Sequence, residues 1–241
     1  MGRKGARLLI DGPEEARSYA GWFETPPGRQ VWEDERRVLR RLMKPVAKHR
    51  VLDAGAGDGR LAVELAADGV RVTALDLSAS MLGLARERAR SAGVPLETVH
   101  GDMETLPFPP ATFHQVVVVT VLCFLPEPRQ ALLELARVLK PGGSLVVGEL
   151  GRWSWWNLCR RIRGRRGDPL WSGSRFRSRG ELERLVREAG LTPDAWDSAV
   201  FYSPATHRRR VFRILERALG GRTSLGAAFV AVRGVKPGDA A

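Results

Sequence analysis

An α/β fold, with helices wound on both faces of a parallel sheet, is what this 241-residue sequence predicts. Three observations point to it. Between residues 50 and 150, short apolar runs alternate with amphipathic runs of helical period,. A glycine-rich turn, "VLDAGAGDGRLAVELA" from Val51 to Ala66, joins the first of each kind. The first three predicted strands also end in acid, at Asp53, Asp76 and Asp102.

To about Pro27 the signals are mixed. "VWEDERRVLRRLM" then places Val31/Trp32, Glu35, Val38/Leu39 and Leu42/Met43 at helical spacing, which predicts an amphipathic helix closed by Pro45,. "RVLDAG" predicts strand one. "GRLAVELAADG" predicts a helix with Gly69 at its end,. "VRVTALDL" predicts strand two, and "SASMLGLARERARSAG" a helix capped by Ser78 and followed by Gly93,. "LETVHGD" predicts strand three. The β-branched run "HQVVVVTVLCFL" predicts a strand buried on both faces,. "PRQALLELARVLKPGG" predicts a helix stopped by Pro-Gly-Gly, and "SLVVGEL" a fifth strand.

The rhythm then breaks. "GRWSWWNLCRRIRGRRGDPLWSGSRF" is aromatic, basic and too long for an ordinary connection,. After it come a helix "SRGELERLVREAG", a strand "DAWDSAVFYS", a basic helix "THRRRVFRILERAL" and a last strand "SLGAAFVAVRG". The organisation expected is a helical cap over 1–45, a cofactor-binding core over 46–151, an aromatic and basic lid over 152–180, and helices and strands over 181–241 that complete the sheet.

Composition is that of an ordinary soluble chain, 44% hydrophobic and 27% charged, without an apolar run of membrane-spanning length or a secretory signal,. Neither Cys123 nor Cys159 belongs to a CxxC pair, so reduced thiols in a cytoplasmic protein are expected and no metal site,. The formal charge is +12, and residues 152–241 hold nearly all of the excess, with 19 Lys/Arg against 8 Asp/Glu. Such asymmetry fits an acidic partner, whether nucleic acid, anionic lipid or an anionic small molecule; it equally fits a solvated arginine-rich surface.

In open α/β sheets ligands sit beyond the carboxyl ends of the strands. Gly55, Gly57 and Gly59 stand there, able to take positive φ and to let a ligand approach the backbone,. The competing reading is a tight turn without a ligand. Asp76 can accept from two adjacent ribose hydroxyls, whereas Asp102 could be a turn or cap residue. A nicotinamide dinucleotide calls for G-x-G-x-x-G and a pyrophosphate. Here the pattern is G-x-G-x-G with Asp53 before it and Asp58 inside it. Carboxylates suit a cation, which points to S-adenosylmethionine.

"VLDAGAGDGRLAVELA", "VTALDLSASML", "GDMETLPFPPATFHQVVVVTVLCFL" and "LLELARVLKPGGSLVVGEL" resemble successive motifs of class I S-adenosylmethionine-dependent methyltransferases, in the broad group that includes ubiquinone and menaquinone biosynthesis enzymes. "YAGWFETPPGR" and "RFRSRGELERLVREAGL" resemble segments of that group as well. The resemblance implies a Rossmann-like methyltransferase fold, a doubly wound seven-stranded sheet whose last strand is antiparallel. It implies that Gly55 and Gly57 pass beneath the methionine moiety with Asp53 in the same loop, and that Ala54 and Gly59 belong to the cofactor site. Asp76 would hold the ribose, Leu77 and Met81 would lie at the adenine side, Asp102 would accept from the adenine amino group beside Met103, and Thr120 would line the methionine end.

The expected function is in-line methyl transfer to a small, hydrophobic or anionic acceptor. Three alternatives stand beside it: an RNA-associated enzyme, a membrane-associated enzyme, and a cofactor-binding protein without turnover. The chain lacks the N-P-P-[YF] sequence and the Pro-Cys nucleophile that mark nucleobase methyltransferases, so a nucleic-acid partner is not favoured. Trp153, Trp155, Trp156 and Trp171 among arginines fit a lid over a small-molecule pocket, a peripheral membrane contact or stacked bases,. His207, Tyr202 and Tyr19 are candidate catalytic residues, though His207 also reads as a surface histidine beside Arg208 and Tyr202 as a half-buried packing residue; Tyr19, Trp22 and Phe23 could close over the cofactor, with Trp22 equally readable as core. Oligomeric state is not legible.

Overall fold

The computed structural model describes residues 10, 12–168, 170–203, 214, 216 and 218–238. Its helices are α1 (Pro13–Trp22), α2 (Pro26–Met43), α3 (Arg60–Ala67), α4 (Ala79–Ala92), α5 (Arg129–Val138), α6 (Trp155–Arg165) and α7 (Arg179–Glu188). The strands are β1 (Arg50–Ala54), β2 (Arg71–Asp76), β3 (Glu97–His100), β4 (Phe113–Val119), β5 (Leu139–Leu150), β6 (Thr192–Ala199) and β7 (Phe229–Val235). They form one seven-stranded sheet in the order β3-β2-β1-β4-β5-β7-β6. Strands β1 to β5 pair in parallel, and β7 runs antiparallel to both β5 and β6. The order reverses between β1 and β4, so the ligand-binding crevice of such a sheet lies at their carboxyl ends.

The strand period of two sorts the core to two faces. Leu52, Val116, Val118, Leu145 and Val147 pack with Leu132 and Leu135 of α5 and Leu182 and Val186 of α7. Their neighbours Val51, Val117 and Val146 pack on the other face with Val38, Leu39 and Leu42 of α2 and Leu61 and Leu65 of α3. Each such side chain contributes about 1.5–3 kcal/mol by leaving water. Local chemistry ends the helices where expected. Ser78 Oγ accepts from Met81 N at 3.2 Å, Gly93 closes α4 with φ 66°, and Ser178 with Glu181 forms a capping box on α7,.

The boundaries differ from expectation in five places. The run after β4 does not extend the strand: Thr120 turns left-handed (φ 55°) and Leu122–Phe124 form one 3₁₀ turn. The cause is Glu149 on β5, whose carboxylate accepts from Val121 N (3.2 Å), Leu122 N (2.8 Å) and Cys123 N (3.1 Å). Pro141-Gly142-Gly143 lies inside β5 rather than ending α5, where the chain bulges against Phe113–Gln115. Asp102 lies two residues beyond β3. Strand β6 runs Thr192–Ala199 and stops before Phe201. Finally, the long connection holds a helix, α6, capped by Ser154. Of the expected basic helix, Ile214, Glu216, Ala218 and Leu219 are helical, and the rest lies outside the described residues.

Among the described residues no helix is long and apolar enough to cross a membrane, and no cluster of His, Cys, Asp and Glu could hold a metal. Packing near the crevice is tight at Gly59, which sits at φ 73° with Ala85 Cβ 2.6 Å from where a side chain would begin. Gly59→Ala should therefore destabilise the fold by about 1–3 kcal/mol, lowering the urea midpoint with an unchanged slope.

Candidate functional site

The turn from β1 to α3 is a left-handed ladder of glycines: φ is 78° at Gly55, 55° at Gly57 and 73° at Gly59. Gly55 N and Ala56 N both donate to Leu75 O, at 2.7 and 3.0 Å, which pins the loop to β2. A Cβ at Gly55 would collide with Val121, and Met103 Cε is 3.3 Å away. Nothing lies within 4 Å of where a Cβ at Gly57 would stand, so that side of the backbone is open to a ligand.

Asp76 joins two loops. Its Oδ2 accepts from Gly57 N and its Oδ1 from Ser78 N, both at 2.8 Å. A carboxylate offers about four lone-pair positions, so acceptor capacity stays available for a hydroxyl donor. Burial pushes its pKa up, opposed by the hydrogen bonds from Ser78, Gly57 and Leu77.

Asp53 is the anomaly of the site. It is the penultimate residue of β1 with 2% of its surface exposed, and its buried Oδ2 has no hydrogen-bond partner among the described residues. Burial, then the charges of Asp76 and Asp58, push its pKa to about 7,. A buried acceptor without a partner costs about 1–3 kcal/mol. A cationic group placed beside it would remove that cost.

Asp58 does not join Asp53 in this role. Its Oδ2 pairs with Arg88 at 2.6 Å and Arg60 at 3.1 Å, so its charge is neutralised within the fold. Arg60 also reaches Glu24 at 2.9 Å and lies over the Phe23 ring, which ties the α1–α2 joint to the glycine loop. Asp102 does serve its turn, accepting from Glu104 N through Oδ1 at 2.8 Å. Met103, Met81 and Ala54 are buried, and Leu77 is half-buried with its carbonyl accepting from His100 Nε2. Thr120 is held by its N–H on Gly148 O at 2.8 Å. The acidic strand ends, the glycine loop and the β4 turn thus meet at one edge of the sheet.

The catalytic candidates fare differently. Tyr202 is buried and donates its hydroxyl to Asp34 Oδ2 at 2.7 Å. Burial and the charges of Asp34 and Glu216 push its pKa well up, and its hydroxyl is engaged by Asp34. His207 lies outside the described residues. Tyr19 is half-buried; burial, then Asp58 and Glu35, push its pKa up. Trp22 packs edge-on to Phe23, with ring centroids 4.8 Å apart, and lies 6.1 Å from Trp156 of α6.

Sequence reasoning passed over two groups here. Glu35 sits deep among protein atoms, and burial, opposed by Arg160 and reinforced by Asp34, pushes its pKa to about 8. Arg160 projects from α6, and burial, opposed first by the charge of Glu35, lowers its pKa to about 10. The signal for Glu35 was present: it occupies the apolar stripe of α2, between Val31 and Val38. Arg160 is one arginine among many in its segment. A separate groove of about 550 Å³, lined by Arg50, Val70, Arg71, Thr73 and Glu97, opens at the amino ends of β1 to β3. It contains none of this chemistry.

Residues 52–147 match a family model described as a methyltransferase domain. An uncharacterized protein of Mycobacterium tuberculosis is 34% identical over 221 residues, covering 92% of this chain and 72% of its own. A demethylmenaquinone methyltransferase of Clavibacter sepedonicus is 42% identical over 120 residues, half of this chain and 47% of its own. A crystal structure of an S-adenosylmethionine-dependent methyltransferase from Thermotoga maritima, described as a possible histamine N-methyltransferase, superposes with a TM-score of 0.73 at 27% identity, covering 93% of this chain and 97% of that one.

Asp53 gives the site a pH signature. Its folded-state pKa lies above the ordinary carboxylate value, so its protonated form favours folding. That stability is complete below about pH 4 and is lost as pH rises through about 7,. Asp53→Asn should match the wild type in urea unfolding near pH 4 and exceed it by about 1–4 kcal/mol at pH 8.

Proposed function

We propose that this chain, which belongs to the class I S-adenosylmethionine-dependent methyltransferases, methylates a small, hydrophobic or anionic acceptor held against the glycine loop. The observation that carries this reading is the half-buried lining of Tyr19, Trp22, Trp156 and Arg160, which sets α1 and α6 against the crevice. The relatives named for menaquinone and histamine chemistry act, by those names, on small molecules, which supports it.

When bound, S-adenosylmethionine supplies a sulfonium methyl open to in-line displacement. In our reading Asp53 offers its unpartnered carboxylate to the positive methionine end. Gly55, Gly57 and Gly59, with Ala54 behind them, let backbone approach it. Asp76 gives its remaining lone pairs to the ribose hydroxyls, and Leu77 and Met81 flank the adenine. Asp102 offers Oδ2 to the amino group beside Met103, and Thr120 borders the methyl. The aromatic walls exclude water and align the acceptor, which is the larger share of what this reaction asks of a protein. We place the enzyme in the cytoplasm.

A second reading is favoured by one observation. Trp153 and Trp155 are 58% and 72% exposed, beside the basic face of α6. Such a pair suits peripheral contact with anionic lipid, from which a hydrophobic acceptor could be drawn. Sedimentation with anionic vesicles should fall at least severalfold in Trp153→Ala/Trp155→Ala if this reading holds, and should be absent in the wild type if it does not.

The main reading is tested by calorimetry with S-adenosylhomocysteine and by transfer of labelled methyl from S-adenosylmethionine into a fractionated extract. Asp76→Ala should weaken binding by about tenfold or more, since each such hydrogen bond contributes about 1.5–3 kcal/mol. Label should enter the small-molecule fraction. Unchanged affinity contradicts the ribose assignment, and label confined to RNA contradicts the acceptor class.

A further inference from the structure

The turn that follows β4 is held by two buried side chains from outside it. Thr120 takes φ 55°, a left-handed conformation that a threonine keeps only where its surroundings enforce it,. Glu149, fully buried on β5, collects the N–H groups of the turn. Its Oε1 accepts from Val121 N at 3.2 Å and Leu122 N at 2.8 Å, and its Oε2 from Cys123 N at 3.1 Å. Arg177, 7% exposed, takes a carbonyl of the same turn, with Nη1 donating to Leu122 O at 2.8 Å. The main chain beside Arg177 adds a second tie, from Arg175 N to Cys123 O at 2.7 Å. Arg177 is itself fixed to the end of β5, its N–H on Leu150 O at 3.2 Å, and Phe176 is buried against Cys123 and Leu150.

The clamped turn bears on the glycine loop at one point. A Cβ at Gly55 would stand 2.4 Å from Val121 Cγ2, so Val121 rests directly on the Gly55 backbone. Gly55 lies two residues from Asp53 and is pinned through its N–H to Leu75 O. Asp76 meets the loop further along, at Gly57 N, where Val121 does not reach. The turn therefore supports the Asp53 end of the site. The Asp76 end is held separately, by contacts that involve neither Glu149 nor Arg177.

We propose that Glu149 and Arg177 are positioning residues for the donor: by fixing the turn against Gly55 they set how tightly the methionine end is held, without touching it. The inference rests on the donor reading above. A binding constellation works when its groups are held to within about 0.5 Å, and the residues behind it supply that placement. An ionised carboxylate suits the task, because it is acceptor-only and can serve three N–H groups at once. Glutamine at 149 would offer one acceptor oxygen and turn an NH₂ donor toward the remaining N–H groups. The turn would then relax away from Gly55, and the methionine end would lose its support while the nucleoside end kept its own. Arg177 extends the clamp to the connection that precedes α7, so a segment far from the glycine loop in sequence takes part in donor affinity.

The test is calorimetric titration of the full chain with two probes, S-adenosylhomocysteine and methylthioadenosine. The second keeps the adenine, ribose and sulfur but lacks the amino acid end. Measurements at about pH 8 lie above the value of about 7 to which burial pushes the pKa of Glu149, so the carboxylate is ionised,. Glu149→Gln should weaken S-adenosylhomocysteine by about tenfold or more, the scale of one charge-assisted contact, and leave methylthioadenosine within about threefold. Arg177→Met should show the same split, which keeps the proposal testable if Glu149→Gln does not fold, and Arg177→Lys should restore part of the loss. Leu42→Ala opens the core near the start of β4, where Met43 O accepts from Gln115, and should bind both probes as the wild type does. Equal losses for the two probes, or unchanged S-adenosylhomocysteine affinity in Glu149→Gln and Arg177→Met, would overturn the proposal while leaving the donor site intact. Failure of the wild type to bind S-adenosylhomocysteine would overturn the donor reading and this one with it.

Discussion

A carboxylate sealed into the end of a parallel strand without a partner is a strained arrangement, and the rest of the site is organised around it. Asp53 sits where β1 gives way to the glycine loop, with Asp76 close enough to raise its pKa further. Nearby acids are dealt with one by one. Asp58 is paired to Arg60 and Arg88, Asp76 is hydrogen-bonded on both oxygens, and Asp102 is tied into its own turn. Among these strand-end and loop acids, Asp53 keeps a buried oxygen without a described partner. The cost of that unpartnered oxygen is what the proposed cationic donor would remove.

The second half of the site comes from outside the alternating strands and helices. Glu149 draws the chain after β4 into a turn that packs Val121 against Gly55. The α1–α2 joint is tied down by Arg60 and Glu24, and by Trp32 Nε1 donating to Glu64 at 2.9 Å. Helix α6 meets α1 through Trp156, whose ring lies 6.1 Å from that of Trp22 and carries Arg160 on its face. Three segments distant in sequence thereby converge on one crevice, each held by a small number of identifiable polar contacts.

The glycine loop and the acids around it were legible because their constraints are local. Positive φ at alternate residues calls for glycine, strand ends carry the acids, and Ser78 announces the start of α4. The fold was legible from the periodicity of the core for the same reason. What could not be read are features set by contacts across the fold. The turn at Thr120 depends on Glu149, nearly thirty residues away, so the apolar run before it reads as unbroken strand. Asp58 reads as a ligand-facing acid until Arg88, on the next helix, takes its charge. Tyr202 reads as a reachable hydroxyl until Asp34 engages it. Glu35 was visible as an acid on an apolar stripe, but the charge that opposes its raised pKa is on Arg160, from a segment whose many arginines are indistinguishable in the sequence.

The central claim is that the unpartnered Asp53 receives the positive end of the donor. Calorimetric titration of S-adenosylmethionine at pH 7, in two buffers of different ionisation enthalpy, measures it directly. With a pKa near 7 in the free protein, Asp53 is about half protonated, and a cation beside it should expel that proton,. The account predicts release of roughly half a proton per donor bound, abolished in Asp53→Asn. Binding with no proton exchange, or with the same release in Asp53→Asn, would contradict it.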